Sequence, residues 1–357
     1  MKLLFVCTNH AGGGLETSFV ILAKAMQMAG HEVVALVRKD SHIDRLLGDG
    51  VAKYYGIFKG AADPRGVRAL SRVIKNFQPD WMVSAFSKEY WPVTILGLFN
   101  DVKVALFKHT ESVLQKGSRR LLPRLADRFI VISQHMREYY IQQGIPPERI
   151  QLLLNPFDFS RYQFSQSDRE RLRQQSGITE KNFVVGYIGA MNYHKGIYEL
   201  AEALNRAMQQ NNNIHAVWIG SGDEKNLSRI FQQGSHPENH HLLGWANDVV
   251  PYYSMLDTLA LPTVSTETFG RVCVEAAAMG VPSLGSRLGG IPEAIMEGVT
   301  GELLPAGDVE AWSASILKLS SNSAYREKLA EAGPAFARKH FSAEIIASQF
   351  ERILLGE

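Results

Sequence analysis

Apolar and polar positions fall in alternating blocks along the chain. Leu3 to Cys7 is a continuous apolar run, followed by the loop Asn9-His10-Ala11-Gly12-Gly13-Gly14. Up to about Met28, the residues Phe19, Leu22, Ala23 and Met26 recur at helical spacing; Gly30 closes that helix and Val33 to Val37 forms the next strand. Asp63-Pro64 has the chemistry of a helix start and predicts a helix from Arg65 to Phe77. Further strands are predicted near Trp81 to Ala85, Val102 to Phe107 and Phe129 to Ser133. Ser160 to Lys181 is polar and charged and predicts a connection between domains. The pattern then restarts. A strand at Phe183 to Ile188, a helix at Ile197 to Met208, and strands at Ala216 to Ile219, Thr258 to Leu261 and Val281 to Leu284 follow. A last helix, about Ala343 to Leu355, carries Ile345, Ile346, Phe350 and Leu354 on one face. Alternation of strand and helix predicts an α/β fold with parallel sheets. Two such units of similar size would leave a cleft between them.

Composition narrows this picture. A chain of 357 residues with 45% hydrophobic residues is long enough for two cores. No apolar run reaches about 18 residues, so no spanning helix is expected. The run at the N-terminus is too short for a secretory signal and reads as a first buried strand. Only Cys7 and Cys273 occur, far apart and in apolar surroundings. They argue against a structural disulfide and for a reducing, cytoplasmic compartment. A net charge of +2 gives no reason to expect a nucleic-acid partner.

Candidate chemistry concentrates in Glu267-Thr-Phe269-Gly270-Arg271-Val-Cys-Val-Glu275. A helix is predicted to begin after Gly270 and to stop at Gly280. One carboxylate then lies on the entry loop, the other on the second turn, and the free amides of a helix N-terminus lie between them. Carboxylates for hydroxyl groups and a helix end for a phosphate suggest a nucleotide-sugar pocket. Glu275 sits among Val272, Val274, Ala276, Ala277 and Ala278, so it needs a buried partner, and a ribose diol offers two donors. The same pair also fits the acid and nucleophile of a glycosidase, since sequence spacing does not give the carboxyl separation. Lys195 follows a strand and precedes a helix, where a cation opposes the helix dipole; a diphosphate would give it a partner. The glycine loop reads as a tight turn, an anion contact or a dinucleotide site. Thr17 stands where the dinucleotide fingerprint needs its third glycine.

Pro262 to Pro282 resembles the Glu-x7-Glu signature of the retaining glycosyltransferases of family 4. The likeness extends through Gly289-Gly290-Ile-Pro292-Glu293, Glu297 to Pro305, Lys195-Gly196, Gly220-Ser-Gly222, Asn155-Pro-Phe-Asp158, Gly12 to Glu16 and Gly30 to Val33. The resemblance implies a GT-B fold: two Rossmann-like domains facing a central cleft. Residues 1–160 would be the acceptor domain and 161–341 the donor domain, with the helix at 342–357 crossing back onto the first. It implies a nucleotide diphosphate sugar donor, most commonly of uridine, and no cofactor. No Asp-x-Asp occurs in the chain, which agrees with metal-independent transfer. Glu275 would hold the ribose and Glu267 the transferred sugar. Backbone amides from Phe269 through Gly270 to Arg271 would meet sugar and phosphate, and Lys195 would stabilise the departing diphosphate. Gly13 and Gly14 resemble the family's donor loop, and His109 its histidine near sugar and acceptor. The implied catalytic residues are therefore His109, Lys195 and Glu267. Lys88, Thr110 and Glu111 lie in loops on the acceptor side. The family's arginine shortly before the lysine is replaced here by Ala190; Arg271 is the expected substitute.

Two segments are basic and amphipathic. Val113 to Phe129 carries Lys116, Arg119, Arg120, Arg124 and Arg128, with Leu114, Leu121, Leu122 and Leu125 on a helical face. The helix after Asp63 sets Arg65, Arg68, Arg72 and Lys75 opposite Val67, Leu70, Ile74 and Phe77. Each reads as an ordinary half-buried helix or as a surface for anionic lipid. Taken together they suggest peripheral attachment to the inner face of the cell membrane. The acceptor would then be a lipopolysaccharide or another lipid-linked glycan. A sugar-nucleotide epimerase and a non-catalytic nucleotide-sugar-binding protein are the competing readings.

Overall fold

The structure is a computed structural model that describes residues 1–10 and 12–357; Ala11 of the glycine loop lies outside the described residues. The chain divides into two compact units, Met1–Asp158 with Phe341–Glu357, and Phe159–His340. The first unit runs β1 (Lys2–Cys7), α1 (Gly14–Met28), β2 (Glu32–Val37), α2 (His42–Leu47), β3 (Ala52–Tyr55), α3 (Pro64–Phe77) and β4 (Trp81–Ser84). It continues α4 (Tyr90–Asn100), β5 (Lys103–Lys108), α5 (Lys116–Leu125), β6 (Arg128–Val131), α6 (Gln134–Gln142) and β7 (Ile150–Leu152). The second unit runs α7 (Gln166–Gln175), β8 (Phe183–Ile188), α8 (Ile197–Gln210), β9 (Ile214–Ile219), α9 (Glu224–Phe231), β10 (His240–Gly244) and α10 (Val250–Met255). Then come β11 (Thr258–Leu261), α11 (Arg271–Ala278), β12 (Ser283–Ser286), α12 (Ile291–Ala294), β13 (Gly301–Leu304), α13 (Val309–Ser321) and α14 (Ser323–Phe341). Helix α15 (Ala343–Leu355) returns to the first unit.

Both sheets are parallel throughout. Their strand orders are β3-β2-β1-β4-β5-β6-β7 and β10-β9-β8-β11-β12-β13. Helices must cover both faces of such a sheet, so its central strands are apolar along their length, as in Leu3 to Cys7 and Phe183 to Ile188. The four strands that the apolar pattern misses, β3, β7, β10 and β13, are the four sheet edges. An edge strand has one neighbour and carries polar residues, as in Ala-Lys-Tyr-Tyr of β3 and His-His-Leu-Leu-Gly of β10.

The caps follow local chemistry. The Asp63 carboxylate accepts from Arg65 N at 3.1 Å, Pro64 opens α3, and Gln78 ends it in the left-handed region at φ 51°. Leu70 and Ile74 of α3 are buried while its arginines face solvent, so this helix is an ordinary amphipathic one. Helix α5 differs from expectation. Leu122 and the preceding Leu114 are buried, but Leu121 and Leu125 are 44% and 37% exposed beside the arginines. Helix α15 completes the first core: Ile346, Phe350 and Leu354 are buried there, and Phe350 meets Phe107 edge-on at 5.4 Å. Arg128 Nε donates to Ile353 O at 2.6 Å.

Ser160 to Lys181 is not a connection. It contains α7, which belongs to the second unit and packs on α10. Most of its polar residues face solvent on that helix and its flanking turns, but one charge is buried. Arg173 is 1% exposed and donates to Asp257 Oδ2 at 2.8 Å, Met255 O at 3.0 Å, Asn182 O at 3.1 Å and Thr179 O at 3.2 Å. Asp257 also accepts from Arg169 Nη2 at 3.0 Å and from Val184 N at 2.7 Å, tying α7 to the starts of β8 and β11. Removing one member of a buried pair strands the other charge. Asp257→Ala is therefore expected to destabilise the second unit by about 3–5 kcal/mol, read from urea unfolding. A loss below about 1 kcal/mol, typical of an exposed pair, would refute that weight.

The edge β9–β10 holds a histidine group. His215 Nδ1 and His241 Nε2 lie 3.1 Å apart, and His240 stacks on Phe231 with centroids at 4.0 Å. Burial first, then the neighbouring His241, pushes His215 down to about 4 and His240 down to about 3. The unfolded chain takes up these protons below about pH 6.5, whereas the folded unit resists them. The second unit should hold its full stability above about pH 6.5 and lose it progressively as pH falls toward 4. Urea midpoints across that range test this, and His240→Leu should flatten the dependence.

Candidate active site

In the second sheet the strand order reverses between β8 and β11, and in open parallel sheets ligands gather at the strand C-termini at such a point. The loop after β8 forms a short 3-10 turn, Tyr193–Lys195, and ends at Gly196 with φ +67°. A Cβ at Gly196 would lie 1.9 Å from Pro262 O, so only glycine lets this turn rest on the loop after β11. Val264 N donates to His194 O at 3.1 Å across the same contact. The two loops thus bring Lys195 Nζ to 2.7 Å from Glu267 Oε2, with both side chains partly exposed. From the other side, Gly290 N donates to Glu267 O at 2.8 Å, and a Cβ at Gly289 would strike that same carbonyl at 2.1 Å.

Helix α11 starts immediately beyond. Gly270 takes the N-cap in the left-handed region, φ +95°, and no side chain caps the helix. Phe269 is buried beneath this turn. Glu275, one turn on, is 8% exposed. Its Oε2 accepts from Tyr253 OH at 2.8 Å, and its Oε1 lies 3.6 Å from Arg271 Nη2. Burial and then Glu275 push the Tyr253 hydroxyl far up; the same two causes raise Tyr162. Both phenols therefore stay protonated and can donate to this carboxylate. Lys195, Glu267, Gly270, Arg271 and Glu275 thus form one cluster around the N-terminus of α11. Tyr253 and Tyr162 are absent from the sequence reading. They lie 22 and 113 positions before Glu275 in the chain, and no spacing rule links them to it.

The remaining predicted residues belong to the first unit. Its strand order reverses between β1 and β4. There the buried Glu89 accepts from Thr8 N, from Thr8 Oγ1 at 2.7 Å and from Ser84 Oγ at 3.3 Å, and Thr8 Oγ1 accepts from Phe58 N at 3.2 Å. Burial raises Glu89 to about 7. Gly13 caps α1 in extended backbone and Gly14 is its first residue. Glu16, in the first turn, is 5% exposed and accepts from Asn9 Nδ2, so an internal carboxylate already stands at this helix end. His109 follows β5, is buried, and stacks on Phe107 at 5.9 Å. Lys88 is exposed, with its amine 5.5 Å from the centroid of Phe86. Thr110 O accepts from Tyr140 OH at 3.0 Å, and Glu111 pairs with His135.

Two doubly wound parallel units in one chain define the GT-B class of fold, a likeness borne by solved structures. The structure of Anabaena HepE in complex with UDP superposes with a TM-score of 0.85 at 24% identity, covering 100% of each chain; a complex with UDP-glucose gives 0.83. Residues 12–161 match the family model described as Glycosyltransferase Family 4, and residues 168–336 the one described as Glycosyl transferases group 1. The chain belongs to glycosyltransferase family 4. It is 26% identical over 234 residues to the capsular polysaccharide biosynthesis glycosyltransferase CapM of Staphylococcus aureus, covering 63% of this chain and 60% of that protein. It is 27% identical over 255 residues to the lipopolysaccharide 1,2-N-acetylglucosaminetransferase of Salmonella typhimurium, covering 64% and 63%. Each match thus spans less than two thirds of the relative's length. Among the described residues, no helix is long and apolar enough to cross a membrane.

Proposed function

We propose that the protein is a retaining glycosyltransferase that moves a hexose-type sugar from a UDP-sugar to a hydroxyl of a glycan acceptor. The observation that carries this reading is the Lys195–Glu267 pair beside the N-terminus of α11, with Glu275 one turn below. A diphosphate seated on the helix amides would meet Lys195, and Glu267 would turn to a sugar hydroxyl. The Oε1 side of Glu275, which faces Arg271, would take the ribose diol, while Tyr253 holds Oε2.

As the anomeric C–O bond breaks, negative charge grows on the leaving diphosphate. Lys195, Arg271 and the amides from Phe269 to Arg271 stabilise it without reorganising. The acceptor oxygen attacks from the same face and its proton passes to the departing phosphate oxygen, so configuration is retained without a protein base. His109 orients the sugar, Gly13 and Gly14 contact the donor, and Lys88, Thr110 and Glu111 shape the acceptor side. With the cation supplied by Lys195 and Arg271, the reading needs no metal ion and no other cofactor. Labelled UDP-sugars, incubated with and without glycan acceptors, test the class. Transfer needs the acceptor; epimerisation without one, or an intact donor in every mixture, would replace this reading. Lys195→Ala should lower turnover about 10²–10³-fold, and Arg271→Ala should lower it as well. Turnover of wild-type size in Lys195→Ala would remove the lysine from the site, and in Arg271→Ala would leave the place of Ala190 unfilled.

The acceptor we propose is lipid-linked, with lipopolysaccharide as one form, and the enzyme works at the inner face of the membrane. Exposed Leu121 and Leu125 lie among Lys116, Arg119, Arg120 and Arg124 of α5. Leu98 of α4 and Leu125 line one groove, and Ile95 and Phe99 of α4 are also exposed. This combination of apolar and basic groups suits an anionic bilayer. At about 1 kcal/mol per basic residue, changing Arg119, Arg120 and Arg124 together to Gln should weaken sedimentation with anionic vesicles roughly 10²-fold. Association that ignores both lipid charge and salt would refute it.

A further inference from the structure

Lys108 ends β5 and is 1% exposed, yet among the described residues it has no carboxylate partner. Its Nζ donates to Ser112 Oγ at 2.8 Å and more weakly to Ser87 Oγ at 3.4 Å, and it lies 6.0 Å from the centroid of Tyr90. Burial draws the amine down to about 8, so it remains largely charged at neutral pH. A charge taken out of water with two neutral hydroxyls as its hydrogen-bond partners is poorly compensated. Both serines are exposed, so the amine lies one hydroxyl beneath the surface.

The surroundings hold this arrangement in place. Ser87 and Ser112 lie in the loops after β4 and β5, neighbouring parallel strands whose C-terminal ends are where ligands collect. Tyr140 OH donates to both Thr110 O and Ser112 O at 3.0 Å, and Tyr90 OH donates to Phe107 O. The Ser112 loop is thus pinned over the amine rather than free to leave it. Two hydroxyl donors above an ammonium match the acceptor oxygens of a compact oxyanion.

We propose that Lys108, Ser87 and Ser112 form a subsite for a phosphate group carried by the acceptor. This specifies the acceptor within the reading above, as a molecule that carries a phosphate group. An anion resting on the two exposed hydroxyls would give the buried ammonium the counter-charge it lacks. Lys88, on the same loop as Ser87, adds exposed positive charge to that loop.

The test reads binding and is independent of sugar transfer. Thermal unfolding of the full chain at pH 7, with UDP at saturation to occupy the donor site, is compared in inorganic phosphate and in chloride of matched ionic strength. Phosphate should raise the wild-type midpoint by about 2 °C at roughly tenfold excess over its dissociation constant. Lys108→Met should lose that increment while being no less stable than wild type in chloride, because an apolar chain replaces a desolvated charge. Equal increments in both proteins, or none in either, would overturn the proposal. If Lys108→Met does not fold, the double variant Ser87→Ala with Ser112→Ala should lose the same increment, and its retention would overturn the proposal too. Anionic vesicles distinguish a lipid headgroup from the acceptor's phosphate. Lys108→Met should leave vesicle sedimentation unchanged; a fall there, with the phosphate increment intact, would assign the amine to the membrane and refute the subsite.

Discussion

The contact of Gly196 with the carbonyl of Pro262 is the constraint on which the second unit's site depends. Strands β8 and β11 are neighbours, but their helices leave toward opposite faces of the sheet, so the loops that follow them would ordinarily diverge. A left-handed glycine lets the first loop lie directly on the second. Lys195 and Glu267 meet as a result, and Gly289 and Gly290 brace the Glu267 backbone from the other side. Backbone contacts therefore fix the charged groups before any ligand arrives, which is the condition for stabilising charge as it develops.

Buried polar groups give the two units similar internal fastening by different chemistry. In the first, Glu89 gathers Thr8, Ser84 and, through Thr8, Phe58, joining three loops where the strand order reverses. Burial lifts that carboxyl toward neutrality, so it is held as much by its hydrogen bonds as by charge. In the second, Asp257 remains close to Arg169 and Arg173 and binds the N-terminal ends of the central strands. Between them lies the practical difference between a hydrogen-bonded hub and an ion-paired one.

Much of the fold was legible because burial on both faces writes a strand as an unbroken apolar run, as in Leu3 to Cys7 or Phe183 to Ile188. The edges were illegible for the converse reason, since β3, β7, β10 and β13 each have a single strand neighbour and at least one side chain that is not fully buried. Ser160 to Lys181 misled because arginine in a polar stretch ordinarily signals solvent, whereas Arg173 is sunk among carbonyls and Asp257. In the candidate site, Lys195, Glu267, Arg271 and Glu275 were readable because local motifs hold them. Tyr253 comes from a distant helix, and Lys108 stands just past the apolar run Val102 to Phe107. Only three-dimensional neighbours reveal what those two side chains touch.

The first unit's core is built from both ends of the described chain. Ile346, Phe350 and Leu354 pack against residues of β1, α1 and β5, while the whole second unit is encoded between. During synthesis the second unit is complete and contiguous when its last helix emerges. The opening unit must wait, with one apolar wall uncovered, until Leu354 has left the ribosome. Of the two units, the one whose synthesis begins earlier is thus the later to be completed, and its apolar wall stays open on the nascent chain in the meantime.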